Sequence, residues 1–284
     1  MNKEFEEIYE WTNEKIAKEK QSVKEYRTDI RQSEGLIVGI IIVCIVISLI
    51  TNILIAKYIF VTVAAMMLCF CGFYVFSNER KIIDRQNKFS EFSLSELAVR
   101  IKDGFIYEQN AEISGTYYRK SGFNRIYKDL MSIGVISGSR EGHNIAASNL
   151  IVKNNNKELF KGVFTYAELN NSFDEIDLMR VNSKNNKKEK YEISETGIFM
   201  YSESTEKSKQ IIDEEIIECI REFMKETKIK FEMMVNKELV FFRFLDSDML
   251  TKPLANDKAT KEFLYKYFRI IDFTAHMSYL LDKK

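Results

Sequence analysis

Residues 36–55 are twenty consecutive positions without a charge, and residues 58–76 are nineteen more. Either stretch can cross a hydrocarbon core about 30 Å thick, which takes roughly 20 helical residues. One helix through all 41 positions from 36 to 76 would be about 60 Å long at ~1.5 Å per residue, longer than any bilayer is thick. The chain must turn, and the polar interruptions that allow it are Thr51–Asn52 and Ala56–Lys57. Lys57 can carry its ammonium to the interface along an apolar stem. The pattern predicts a two-span transmembrane hairpin over 35–77. A buried core helix competes, but such helices rarely stay apolar on every face for this length. A secretion signal competes too, against 34 largely charged residues ahead of the first apolar run.

A hairpin returns the chain to the side it left. The N-terminal flank carries Lys3, Lys15, Lys18, Lys20, Lys24, Arg27 and Arg31, the far flank Arg80, Lys81, Arg85 and Lys88, and the loop between them Lys57 alone. Lys and Arg counts set orientation, so both termini are expected in the cytoplasm of a multi-pass plasma-membrane protein. Residues 1–34 read as a polar amphipathic helix with a thin stripe of Phe5, Ile8, Trp11 or Thr12, Ile16, Val23, Tyr26 and Ile30. Residues 78–102 read as a second helical stalk, with Ile82, Phe89, Phe92, Leu97 and Ile101 as its stripe. The two stripes can pair as an antiparallel stalk within one chain or self-associate between chains. The pattern leaves both open.

From residue 103 to 284 the pattern is mixed and predicts a cytoplasmic α+β domain. Ser114 can cap a short helix. Ile145–Lys153 and Leu159–Tyr166 flank a turn-forming run of three asparagines, 154–156, and predict a β-hairpin. Residues 182–190 read as a solvated loop and subdomain boundary. Tyr191–Tyr201 looks extended, and Thr205–Thr227 predicts one amphipathic helix with Ile212, Ile216, Ile220, Phe223 and Met224 on one face. Ile229–Val235 and Leu239–Phe244 predict strands joined by a turn at Asn236-Lys237, and a final helix runs from about Asp257 to Leu281. That order argues for an antiparallel sheet with helices packed on it.

Lys+Arg and Asp+Glu both total 42, so the formal net charge is zero, and 30 of the basic residues are lysine against 12 arginine. This balance removes the electrostatic footprint of a nucleic-acid binder and makes bidentate phosphate recognition a weak theme. The expected partners are the lipid bilayer and either a protein partner or a second copy. Cys44, Cys69 and Cys71 fall in the spans and Cys219 stands alone, a spacing that matches neither a zinc site nor a disulfide framework.

No catalytic residue can be assigned, and neither a cofactor nor a metal site is expected. His143 and His276 are the two histidines, and neither has a carboxylate or cysteine at ligand spacing. The run Gly134-Val-Ile-Ser-Gly138-Ser-Arg-Glu-Gly142 imitates a phosphate loop but lacks the Gly-Lys-Ser/Thr ending and the dinucleotide spacing, so it reads as turn glycines between strands. Asp246 and Asp248 supply two oxygen ligands where a hard cation wants more. Neither span contains an ionisable residue, which argues for an anchor over a transporter, and Gly39 and Gly72 permit close helix contact.

Four segments stand out: Lys120-Ser-Gly-Phe123, Phe160-Lys-Gly-Val-Phe164, Phe199-Met-Tyr-Ser202, and the strand pair Phe231–Val235 and Leu239–Phe244 ahead of a long terminal helix. Together they resemble a bacterial domain-of-unknown-function family, number three-one-three-seven. The chain departs from the family pattern at Ser139-Arg-Glu-Gly142, where an acidic segment is usual. The resemblance implies two membrane spans ahead of a cytoplasmic α+β domain and brings no known activity with it. The favoured expectation is therefore a membrane-anchored, non-enzymatic interaction or scaffold module. The alternatives are an accessory subunit of a membrane complex, or an unrecognised hydrolase using Asp246, Asp248, His143 or Arg140.

Overall fold

The computed structural model describes residues 3–50, 54–101, 104–124, 126–179, 189–193, 198–202, 205–245 and 257–284. The chain divides into two compact units. One is Asn13–Phe92 with Pro253–Asp257; the other gathers Met1–Thr12, Ser93–Lys252 and Lys258–Lys284.

The first unit is built from two long helices. Helix α1 runs Lys3–Ile50 and α2 runs Leu54–Arg100. Each polar flank and the apolar stretch beside it are thus one uninterrupted helix, with no proline in either to break it. Of the two turn positions expected from sequence, Ala56–Lys57 lies inside α2, while Thr51–Asn52 falls outside the described residues. The polar flanks meet within the chain, where the Arg85 guanidinium sits 3.8 Å from the Tyr26 ring centroid. Ile16, Ile30 and Phe89 are buried, whereas Phe92, expected on the paired stripe, is 37% exposed.

The apolar stretches do the reverse of a soluble core. Both helices are long and apolar enough to cross a membrane, and their most apolar 18-residue windows are only 11% and 6% buried. Leu36, Val43, Leu49, Phe70, Phe73 and Phe76 are each 56–72% exposed. Among the described residues, eighteen large apolar side chains between Leu36 and Phe76 are 38–74% exposed. Each gains ~1.5–3 kcal/mol on full burial, so leaving them in water forgoes on the order of 20 kcal/mol. A domain's net stability of about 5–15 kcal/mol cannot absorb that. These faces need an apolar solvent.

The second unit is a seven-stranded sheet flanked by helices, so the fold is α+β. Strands β1 (Ile106–Glu108), β2 (Asp129–Arg140), β3 (His143–Asn154), β4 (Lys157–Met179), β5 (Glu189–Ile193), β6 (Ile198–Ser202) and β7 (Phe231–Phe244) are joined in the order β1-β2-β3-β4-β6-β5, with β7 paired to β4. The pairings are antiparallel. Helix α3 (Gly115–Lys120) precedes β2, α4 (Thr205–Ile211) and α5 (Glu214–Thr227) precede β7, and α6 (Asp257–Asp282) closes the chain.

Five local expectations meet this structure. Ser114 does cap α3, accepting from the Thr116 N–H at 3.2 Å. The asparagine turn joins β3 to β4 in register Asn154↔Lys157, with Asn155 at φ 55°. The glycine run is a correction: Gly134 and Gly138 lie within β2, and Gly142 alone of the three is in a turn. Gly134 takes φ 65° at a bulge between Ile133 and Val135, where a Cβ would come within 2.4 Å of the Tyr107 hydroxyl. The expected helix Thr205–Thr227 is also corrected. It breaks because the Asp213 carboxylate accepts from the Ile216 N–H at 3.2 Å and starts α5 afresh as an N-cap. Tyr191–Tyr201 is extended as expected over its described residues, which fall in two paired strands, β5 and β6. The loop expected over 182–190 falls outside the described residues as far as 188.

Strand β7 doubles back on itself. The Leu245 N–H donates to the Lys230 carbonyl at 2.7 Å, and Lys237 turns the chain at φ 55°. Strand β4 pairs with both arms, through Val163–Glu168 on one and Ile176–Leu178 on the other. Both faces of this region are covered. Phe241 and Phe164 join Tyr118, Phe123 and Phe160 in one core cluster. Phe242 and Phe244 meet Phe273 of α6 edge-on, and that ring stacks on the Phe223 ring of α5 at 4.2 Å. That double burial explains the near-continuous apolar run of Leu239–Phe244.

Candidate functional site

Three places in the sheet unit gather polar chemistry. The first is the β2–β3 turn. Arg140 and His143 pair across it, and Glu141 and Gly142 take φ 53° and 84°, the left-handed values that a two-residue hairpin turn requires. Arg140, Glu141 and His143 each reach a side chain on α6. Arg140 donates to Asp272 at 2.6 Å and to both Glu4 carboxylate oxygens at 3.2 Å. His276 stands 3.6 Å from Glu141, and His143 stands 3.5 Å from Asp282. Burial works against the charge on Arg140, yet Glu4 and Asp272 outweigh it and hold the guanidinium above its ordinary value.

The His143 ring is buried, and its Nδ1 donates to the Glu168 carbonyl at 3.0 Å. Asp282 is occupied on its other side. It accepts from the Asn170 and Asn171 backbone N–H groups at 2.8 and 3.0 Å. These contacts anchor the corner where β4 spends five residues, from Glu168 to Phe173, against two of β7. The structure thus brings Arg140 and His143 together, as the sequence did not foresee, but engages both in fixing a turn and a corner. Asp246 and Asp248 lie outside the described residues.

The second place surrounds Arg243. Its guanidinium bonds to the carboxylate of Glu232 across the β7 turn and donates to Asn124 Oδ1 at 3.0 Å. It also lies 4.8 Å from the Phe123 ring centroid and 5.8 Å from that of Phe160. Asn124 accepts a further bond from the Tyr118 hydroxyl at 2.7 Å, and burial pushes that phenol up to about 12. Three of the four segments behind the family resemblance therefore meet at one buried ion pair. Sequence reading missed it, although the signal existed: two opposite charges on two apolar strands, at positions a hairpin sets face to face.

The third place is an open cleft of about 460 Å³ between α3, the β4 corner and the β7 turn, lined by Tyr117, Lys120, Glu168, Asn236, Lys237 and Glu238 among others. Tyr117 stacks on Tyr166 at 4.2 Å, and the Asn236 amide donates to the Lys120 carbonyl at 3.1 Å. Both charge signs line it.

Among the described residues no group of three or more His, Cys, Asp and Glu is placed to hold a metal ion. Burial pushes the Cys219 thiol up to about 12, so it carries no thiolate at neutral pH. No family model matches the chain, and no curated protein matches it in sequence. Among solved structures, the crystal structure of the mycobacterial trehalose monomycolate transport factor A, TtfA, is similar at 12% identity and a TM-score of 0.41, over 67% of this chain and 95% of that one. A likeness that distant decides neither fold nor function.

Proposed function

We propose that this chain is a membrane-anchored, non-enzymatic interaction or scaffold module, allied to the family its short motifs resemble, with its sheet unit working on the cytoplasmic side. The observation that carries the anchoring is the placement of apolar side chains on α1 and α2, whose most apolar windows are only 11% and 6% buried. The cytoplasmic side follows from the flanks, where eleven Lys and Arg residues stand against Lys57 alone between the spans. The interaction role is supported by how the sheet unit uses its polar groups. Arg140, His143, Asp282, Glu232 and Arg243 all brace turns and corners.

Membrane fractionation of the full-length chain tests the anchor: it is expected in the pellet after alkaline wash and in the supernatant after detergent. Protease or thiol-label access to engineered tails tests the sidedness. Tails protected in intact cells and cleaved after lysis are expected; recovery of the chain in the detergent-free supernatant would overturn the reading.

A further inference from the structure

The first turns of α1 belong to the sheet unit and fill a groove there. The groove is one face of α6, with Lys261, Tyr265 and Phe268 spaced i, i+4 and i+7, and it is flanked by Arg140 from the β2–β3 turn. Phe5 is fully buried in it, 5.0 Å from the Tyr265 ring and 5.6 Å from Phe268. On either side of Phe5 a carboxylate meets a cation: Glu4 faces Arg140 at 3.2 Å and Glu6 faces Lys261 at 2.6 Å. Lys261 also covers the Tyr9 ring at 5.0 Å.

Two features make this seat exchangeable. The anchor is a single short segment, and one of its two ion pairs is wet: the Lys261 and Glu6 side chains are 31% and 35% exposed, while Arg140, facing Glu4, is 10% exposed. Exposed pairs contribute little and are screened by salt. The chemistry of the groove is nonetheless selective, because it demands an apolar ring between two acids on a helix.

We propose that Arg140, Lys261, Tyr265 and Phe268 form a receptor groove for an acidic helix with an aromatic residue between two carboxylates. In this chain residues 3–12 hold the groove in cis; a partner helix of the same chemistry displaces them. This deepens the reading of the sheet unit as an interaction module and rests on it for the existence of a partner. The mode is a helix laid into a groove, with the chain's own terminus as the competing occupant.

The test uses the full-length chain in detergent and a fluorescent peptide of residues 1–16 as the probe, read by anisotropy. Phe5→Ala vacates the groove, and a chain lacking residues 1–12 serves as a second vacated form should that variant melt early. The peptide is expected to bind either vacated form at least tenfold more tightly than the unaltered chain. Adding Lys261→Glu should weaken that binding at least fivefold, and a peptide carrying Glu6→Lys should restore it. Equal binding to the vacated and unaltered chains, or binding indifferent to the charge reversal, overturns the groove. Neither result depends on whether the chain spans a membrane or which side it faces, so failure of the anchoring reading would show separately.

Discussion

The two units place the same residue types in opposite ways. On α2, Phe73 and Phe76 are 72% and 61% exposed; on β7, Phe241, Phe242 and Phe244 are wholly buried. In the sheet unit, apolar side chains gain by leaving water, so they pack ring on ring around Phe273 and leave charges for the turns. In the helical unit, a strip of polar flank pairs through contacts such as Arg85 on Tyr26, and the apolar stretches point outward. Burial alone is thus a poor guide to which residues matter. What differs is where each unit puts its apolar side chains, and the exposed stretches of the helical unit are long and apolar enough to cross a membrane.

The largest effects should come from the sheet core. Phe231→Ala empties a site touching Phe223, Phe242, Phe244 and Phe273, and should cost about 3–5 kcal/mol in denaturant unfolding of the detergent-solubilised chain. Arg243→Met should cost a similar ~3–5 kcal/mol, because it removes the cation that the buried Glu232 carboxylate, 2% exposed, pairs with. The double variant Arg243→Met with Glu232→Leu should recover most of that loss. A single variant no worse than the double would show that the pair is not coupled.

A charge in the middle of a span sharpens the contrast. Ile45→Arg, at a position 44% exposed, would be harmless on a soluble surface. In a membrane helix it should cost about 2.5–3.5 kcal/mol of insertion and deplete the chain from the membrane pellet. Unchanged partitioning would break the comparison at its root.

Two smaller effects probe the helix ends and the stalk. Asp213→Ala removes the α5 cap and should destabilise the sheet unit by about 1 kcal/mol. Burial raises the Asp213 carboxyl, but Lys284 and the Ile216 N–H outweigh it and leave it below its ordinary value. Its contribution is therefore present at neutral pH and lost as pH falls through and below the ordinary carboxylate range. Melting midpoints of the unaltered chain and Asp213→Ala should accordingly converge on acidification. Arg85→Ala should cost only about 0.5–1 kcal/mol, measured as a small drop in helical melting temperature, since the ring contact is exposed.

Local chemistry was legible wherever it acts over a few residues. The Ser114 cap, the asparagine turn after β3, the β7 turn and the long final helix all follow from propensity and period. The misses share a cause. Gly134 reads as a turn residue, yet it sits in a strand because the Tyr107 ring lies where its Cβ would be. Thr205–Thr227 keeps one apolar face, and only the capping geometry of Asp213 divides it. The candidate site was least legible of all, because Glu4, Arg140 and Asp272 are separated by more than 130 residues at each step of the network.

What the sequence determined by itself is the division of labour: the charge-free stretches are long and apolar enough to cross a membrane, and the alternating and 3.6-period segments demand a sheet with helices. What the tertiary structure decided is pairing. Which cation meets which carboxylate, and which groove the amino terminus enters, depends on side chains that come within a few ångströms only after the sheet has closed. An ion pair is specified by distance, and distance between remote residues is a property of the fold, absent from any local window of the chain.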